Sequence, residues 1–275
     1  MLSIKMINKF SKVAKNTLYR HSQVISIRKV YRENIGMSVY KMSLLRIVNR
    51  ISSMLMMFIP IKVFILISSD TVLFSNLYDM KSLGYDLTLT ILFCFLFFVF
   101  IASIGSQFFF SKATSDEIKK IRGVKEFFYD GKVYSRIFIS RNYIPVINFL
   151  SDLFIILISF AIYAFCSIEF AIFQAIFVMV LYMVYDYVLF TNNRLKILSK
   201  ISLTPIEFVA FSSQLVLLVG FMFVFIIYLQ GNINVSSGVL ILMVTRMLSG
   251  SMRGYSNSMI KIESNIRGLD PTSNT

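Results

Sequence analysis

The sequence predicts an all-α integral membrane protein with six transmembrane helices and both termini on the cytoplasmic side. Three observations carry that expectation. Hydrophobic residues make up 56% of the chain, above the roughly 45–50% of soluble domains, and mean hydropathy is +0.72. These residues gather into runs near the ~20 residues that a helix needs to cross a ~30 Å hydrocarbon core. Finally, Lys and Arg, 28 against 14 Asp and Glu, are concentrated in alternate connections, as the positive-inside bias requires.

The runs lie at 45–68, 88–110, 144–165, 170–190, 207–229 and 236–257. Residues 1–43 form a basic cytoplasmic segment. Within it Ile4, Ile7, Phe10, Val13, Ala14 and Leu18 recur at helical spacing, which predicts a basic helix over 3–20 lying on an anionic lipid surface. The first connection holds Lys81 against Asp70, Asp79 and Asp86, and therefore faces outward. The second, Ser111–Tyr143, is rich in bases, among them Lys112, Arg122, Lys125 and Arg136. Only Ser167 and Glu169 interrupt the third and fourth runs, which implies a tight external turn. Arg194, Lys196 and Lys200 follow the fourth run, the Gln230–Asn234 connection is uncharged, and Lys261 and Arg267 mark the tail. The expected organisation is thus a basic segment 1–43, a six-helix domain 44–258 and a cytoplasmic tail 259–275.

Composition also excludes chemistry. The net charge of +14 is spread between lipid-length apolar runs and not gathered on one polar domain, which argues against nucleic-acid binding. Cys94 and Cys166 lie in or beside spans and form no metal motif, and His21 is the sole histidine. No metal site and no catalytic residue is expected, so the chain does not read as an enzyme. Tyr185-Asp186 matches half of an intramembrane aspartyl protease site, but that chemistry needs a second aspartate, and the Gly-x-Gly-Asp half is missing.

Charge inside a span needs a partner or a wet cavity. Arg246 lies near the middle of the sixth run, and Ser249, Gly250, Arg253, Ser256 and Asn257 continue from it as a polar stripe. Two readings stand. The stripe lines a translocation path, with Arg246, Ser249, Arg253, Asn257 and Lys62 as its candidates; or Arg246 makes a structural ion pair with Asp152 or Asp186. Lys62 sits close enough to the outer surface to snorkel. Gly250 with Gly254, and Ala102 with Ser106, form small-xxx-small steps that favour close helix packing and permit a homodimer. Tyr182, Tyr185 and Tyr187 cluster where an inner aromatic belt is expected. In the second connection, Asp116-Glu117-Ile118-Lys119-Lys120-Ile121 reads as a short amphipathic helix.

Several motifs appear in a telling order: Phe58-Ile59-Pro60-Ile61 in the first run, Phe149-Leu150-Ser151-Asp152-Leu153 in the third, and Thr191-Asn192-Asn193-Arg194 after the fourth. Gln214 in the fifth run, Gly231 through Gly238, and Thr245-Arg246 complete the series. This order resembles the membrane domain of type I secretion ABC exporters over about residues 45–265, with a proline turn expected at Pro60. Among stand-alone permeases it is most similar to that of a dispersin-type exporter. The departures are short cytoplasmic extensions and the lack of any Gly-x-x-x-x-Gly-Lys-Ser/Thr phosphate loop.

The resemblance implies a permease subunit that exports a protein or peptide across a bacterial inner membrane. It implies a separate ABC ATPase carrying ATP and Mg, a periplasmic adaptor and an outer-membrane channel as partners, with no cofactor on this chain. Asp116, Glu117, Lys119, Lys120, Arg194 and Lys196 are the expected ATPase-docking residues. The alternatives are a non-transporting scaffold for the adaptor and channel, and a membrane-embedded lipid or acyl transferase.

Overall fold

The computed structural model describes residues 21–36, 38–68, 85–124, 126–129, 132–190 and 202–267. These residues are helical apart from one β-hairpin, and six of the helices are long and apolar enough to cross a membrane. Helix α1 covers 21–35. The spanning helices are α2 (Ser38–Ser68), α3 (Tyr85–Gly123), α4 (Arg136–Cys166), α5 (Ile168–Phe190), α6 (Pro205–Leu229) and α7 (Val235–Arg267). Between α3 and α4 lie antiparallel strands β1 (Glu126–Tyr129) and β2 (Lys132–Ser135), with Glu126 opposite Ser135.

Every expected span is a helix, but four overrun their apolar runs by a turn or more, among them α2, which starts at Ser38. Residues 111–122 contain neither Gly nor Pro, so α3 propagates past residue 110 until Gly123. The Asp116–Ile121 stretch is therefore the end of α3, not a separate helix. The hairpin, absent from the sequence reading, follows at once. Helix α4 then starts early, because Ser135 is a good N-cap whose Oγ accepts from the Phe138 amide at 3.3 Å. Helix α7 runs unbroken to Arg267, and its Met259 and Ile262 are buried. The beginning of the expected tail is thus packed helix. Pro60 does not turn the chain: α2 continues through it to Ser68.

The turns follow from local chemistry. Ser167 alone separates α4 from α5; its backbone amide donates to the Tyr163 carbonyl at 2.7 Å and its Oγ accepts from the Phe170 amide at 3.3 Å. At α6, Thr204 and Glu207 form a reciprocal capping box with Pro205 in the first turn. Glu207 is thereby a capping residue. The helix 3–20, the connection bearing Asp70, Asp79 and Lys81, and the bases Arg194, Lys196 and Lys200 lie outside the described residues, as does the Lys62 side chain.

Packing sets a common frame. Helix α4 lies along α7, α2 along α3, and α6 along α7. Ser43 on α2 donates to the Ile147 carbonyl of α4 at 3.3 Å, and Ser103 on α3 to Asn49 Oδ1 on α2 at 3.3 Å. The hairpin, α1 and the last turns of α3 and α7 consequently share one end, which also carries Lys119, Lys120, Arg136 and Arg141. Large apolar side chains such as Phe97, Phe98 and Phe108 on α3 and Phe221 and Phe225 on α6 stay exposed on the bundle's outside, where lipid would solvate them.

That basic end has its own core. Val24, Ile27, Val30 and Tyr31 of α1 are buried against Ile121, Phe127, Ile139 and Tyr143. Their i, i+3, i+6, i+7 spacing is an amphipathic stripe, and it packs on protein. The Tyr31 hydroxyl donates to the Ile139 carbonyl, and its ring meets Tyr143 edge-on with centroids 5.4 Å apart. Burial, then the neighbouring Tyr143, hold the Tyr31 phenol well above the usual tyrosine range, so it stays a hydrogen-bond donor.

Candidate functional site: a charged seam and an arginine-lined groove

Where α2, α4 and α7 meet, the sequence places Arg50, Asp152 and Ser251. Arg50 Nη1 donates to Asp152 Oδ1 and, at 3.1 Å, to Ser251 Oγ. The Asp152 side chain has no exposure and that of Arg50 has 26%, so the acid is sealed while the base reaches the bundle's surface. Arg46, one turn earlier, adds to the positive field at Asp152 and stands over the Phe110 ring at 5.9 Å. Asp152 Oδ2 has no hydrogen-bond partner among the described residues. On its other side is Gly254, where an added Cβ would fall on the carboxylate. The glycine is what lets α7 approach α4 here. Asp152, one of the two ion-pair candidates, is thus paired with Arg50, and of the two carboxylates considered for Arg246 it is not the partner.

Arg246 instead lines a groove between α2 and α7, with Leu217 of α6 on one wall. The cavity measures about 570 Å³. Arg50 and Arg246 are its only ionic groups among the described residues, and Met54, Met57, Ile61, Val239, Leu242, Met243 and Met247 make most of the rest. Arg246 is exposed and, among the described residues, has neither an ion pair nor a hydrogen-bond acceptor. The predicted polar stripe divides at this point. Arg246, Gly250 and Arg253 are on the exposed side. Ser249 turns inward and donates to the Ser213 carbonyl of α6, Ser256 is buried, and Asn257 is half-buried with Oδ1 unpaired among the described residues. Asp186 is buried on α5.

Two further polar clusters bracket the seam. Away from the basic end, Tyr163 donates to Thr245 Oγ1 at 3.0 Å, which in turn donates to the Ile241 carbonyl at 2.8 Å. Gln174 is fully buried beside them, with neither amide atom paired among the described residues. Toward the basic end, His21 Nε2 lies 2.8 Å from the Tyr255 hydroxyl and 3.3 Å from that of Tyr182, and the two hydroxyls are 3.1 Å apart. Tyr182, expected in an interfacial belt, thus helps tie α1 to α5 and α7.

On the last turns of α3, Lys120 pairs with Glu117 at 2.9 Å and Lys119 approaches Asp116 at 3.9 Å. Both lysines stay largely exposed. Arg136 donates to the Arg122 carbonyl at 3.0 Å, closing the end of α3 against the start of α4. Of the docking candidates, Asp116, Glu117, Lys119 and Lys120 thus stand on the last turns of one continuous helix, while Arg194 and Lys196 lie outside the described residues. Among the described residues no group of three or more His, Cys, Asp or Glu is placed to hold a metal ion.

Sequence reasoning passed over Arg50. Its signal was present, since Arg46 and Arg50 fall inside the first run as delimited, and an ionised residue there needs a partner. The capping box was equally visible as Thr204-Pro205-Ile206-Glu207. The role of Gly254 depends on which helix faces it, which one chain's periodicity does not give. Comparison with protein-family models, curated proteins and solved structures returned no match.

Proposed function

We propose that this chain is the membrane-spanning permease subunit of an exporter for a protein or peptide, driven by a separate ATPase that binds ATP and Mg. The observation that carries the reading is the basic-end projection. Helices α3 and α4 extend beyond their apolar runs, the hairpin joins them, and α1 and the end of α7 pack onto them in one core. Because α3, α4 and α7 are continuous from that core into the spans, a push on the projection moves spanning helices directly. Asp116, Glu117, Lys119 and Lys120 offer the docking surface.

The basic end faces the cytoplasm of a bacterial inner membrane in this reading, because Lys and Arg concentrate there. A periplasmic adaptor and an outer-membrane channel complete the route, and the permease works as a homodimer. A specific observation favours a second reading, a non-transporting scaffold for that adaptor and channel. The α4–α7 seam is closed by Asp152 against Gly254 and by the tie to Arg50, which suits a body that does not open.

Purification in mild detergent, with mass spectrometry of every co-purifying chain, separates the two. A soluble ATPase recovered in near-stoichiometric amount, and lost on Lys119→Glu with Lys120→Glu, supports the permease. Adaptor or channel proteins recovered with no ATPase overturn it and leave the scaffold.

A further inference from the structure

The groove between α2 and α7 is polar at one end and apolar at the other. The hydrogen bond from Arg50 to Ser251 fixes the level of its polar end. From there α2 climbs through Met54 and Met57 to Ile61, while α7 passes the same levels in reverse order through Met247 and Met243 to Val239. The rise from Arg50 to Ile61 is about 16 Å at 1.5 Å per residue, near half the ~30 Å thickness of the hydrocarbon core.

The two guanidiniums differ in their circumstances. Arg50 has Asp152. Arg246, about three turns into α7, is exposed in the groove and lacks a carboxylate partner among the described residues. A guanidinium this deep in a span calls for a counter-charge.

We infer that the groove holds one anionic phospholipid, its phosphate on Arg246 and one acyl chain along Met57, Ile61, Val239 and Leu242. Charge complementarity selects the head, and the lining selects the tail. Methionine side chains are unbranched and adaptable, and pack against an acyl chain without a fixed shape. The volume of about 570 Å³ falls in the small-ligand range of about 300–1,000 Å³. A second copy of this chain does not supply the charge, because of the described carboxylates within the apolar runs Asp152 and Asp186 are buried and Glu207 is held in its capping box at the start of α6. The inference does not depend on whether an ATPase drives the protein.

The chain has no Trp, so a single introduced indole reports without background. Met57→Trp places it at the groove's rim, where 49% of the side chain is exposed, and Ile176→Trp places it on α5, 60% exposed and away from the groove. Each full-length variant is reconstituted in vesicles of phosphatidylcholine doped with brominated phosphatidylglycerol or with brominated phosphatidylcholine. At Met57→Trp the brominated anionic lipid is expected to quench with an about fivefold preference, the ratio expected for one basic residue. At Ile176→Trp the two lipids quench alike. Arg246→Gln, which disturbs no pairing among the described residues, erases the preference at Met57→Trp. Equal quenching by both lipids at Met57→Trp overturns the inference. So does a preference that survives Arg246→Gln, and so does an indole that neither lipid reaches, which places a second copy over the groove.

Discussion

Gly250 and Gly254 sit one turn apart on α7, and their alanine variants are expected to differ in sign. At Gly250 an added Cβ meets nothing within 4 Å. Alanine there removes backbone freedom from the unfolded chain and stabilises the helix by about 0.5–1 kcal/mol. At Gly254 the Cβ lands on the Asp152 carboxylate. That side chain is fully buried and tied to Arg50, so it does not swing aside, and α4 and α7 must separate. Overpacking of this kind costs about 1–3 kcal/mol; with the helical gain set against it, Gly254→Ala is expected to destabilise by about 1–2 kcal/mol. Unfolding from mixed micelles by added SDS, followed by circular dichroism, measures both. The cause is checked by repeating Gly254→Ala in the Arg50→Met/Asp152→Ala background, where the overlap is gone and the penalty should vanish. Equal stability of the two alanine variants, or a Gly254→Ala penalty unchanged in that background, would refute the close approach of α4 and α7 at Asp152.

Arg50→Met alone strands a buried carboxylate and is expected to cost about 3 kcal/mol, whereas Arg50→Met with Asp152→Leu should be near neutral; the same SDS titration reads both. Gly220→Ala drives its Cβ to 2.7 Å from Thr245 Cγ2 and should destabilise, and Thr245→Ser, which deletes that methyl and keeps the hydroxyl, should restore most of the loss. Tyr31→Phe removes the donor to the buried Ile139 carbonyl and is expected to cost about 1 kcal/mol, seen as faster proteolysis within 21–35 with the spans left intact.

What was legible in the sequence is what one chain segment decides by itself. Lipid-length apolar runs identify six helices because a backbone in hydrocarbon must satisfy its own hydrogen bonds. Helix ends were less legible, since hydropathy falls at the membrane surface while a helix stops only at a breaker or a cap: α3 goes on to Gly123 and α4 starts at the Ser135 cap. The hairpin follows from the short chain between those two ends. Site residues were legible as candidates and not as partners. Arg246 and Asp152 both stand out as charges inside spans, and the sequence leaves open whether Arg246 meets Asp152, Asp186 or a wet path, whereas Asp152 faces Arg50. Only the relative rotation of α2, α4 and α7 decides that, and periodicity within one helix does not give it.

The seam and the groove show why two arginines lining one cavity do different work. Arg50 satisfies a carboxylate and a hydroxyl on two other helices, so rotating or sliding any of the three breaks a bond that nothing nearby replaces. A buried ion pair contributes little net stability against an apolar isostere, but it penalises every other register, and Gly254 adds a steric condition on the same atom. The α2–α4–α7 contact is thereby fixed by geometry more than by total energy. Arg246, a few residues along α7, has no such tie among the described residues. Its charge is available to whatever enters the groove, and the rigid seam beneath holds it there. A motion that parts α4 from α7 must break either the Arg50–Asp152 pair or the Arg50–Ser251 hydrogen bond, according to which helix α2 follows; one that leaves the seam intact has to occur across α3, α5 or α6. Cross-linking α4 to α7 near the seam distinguishes the two, because only the first kind of motion is blocked by it.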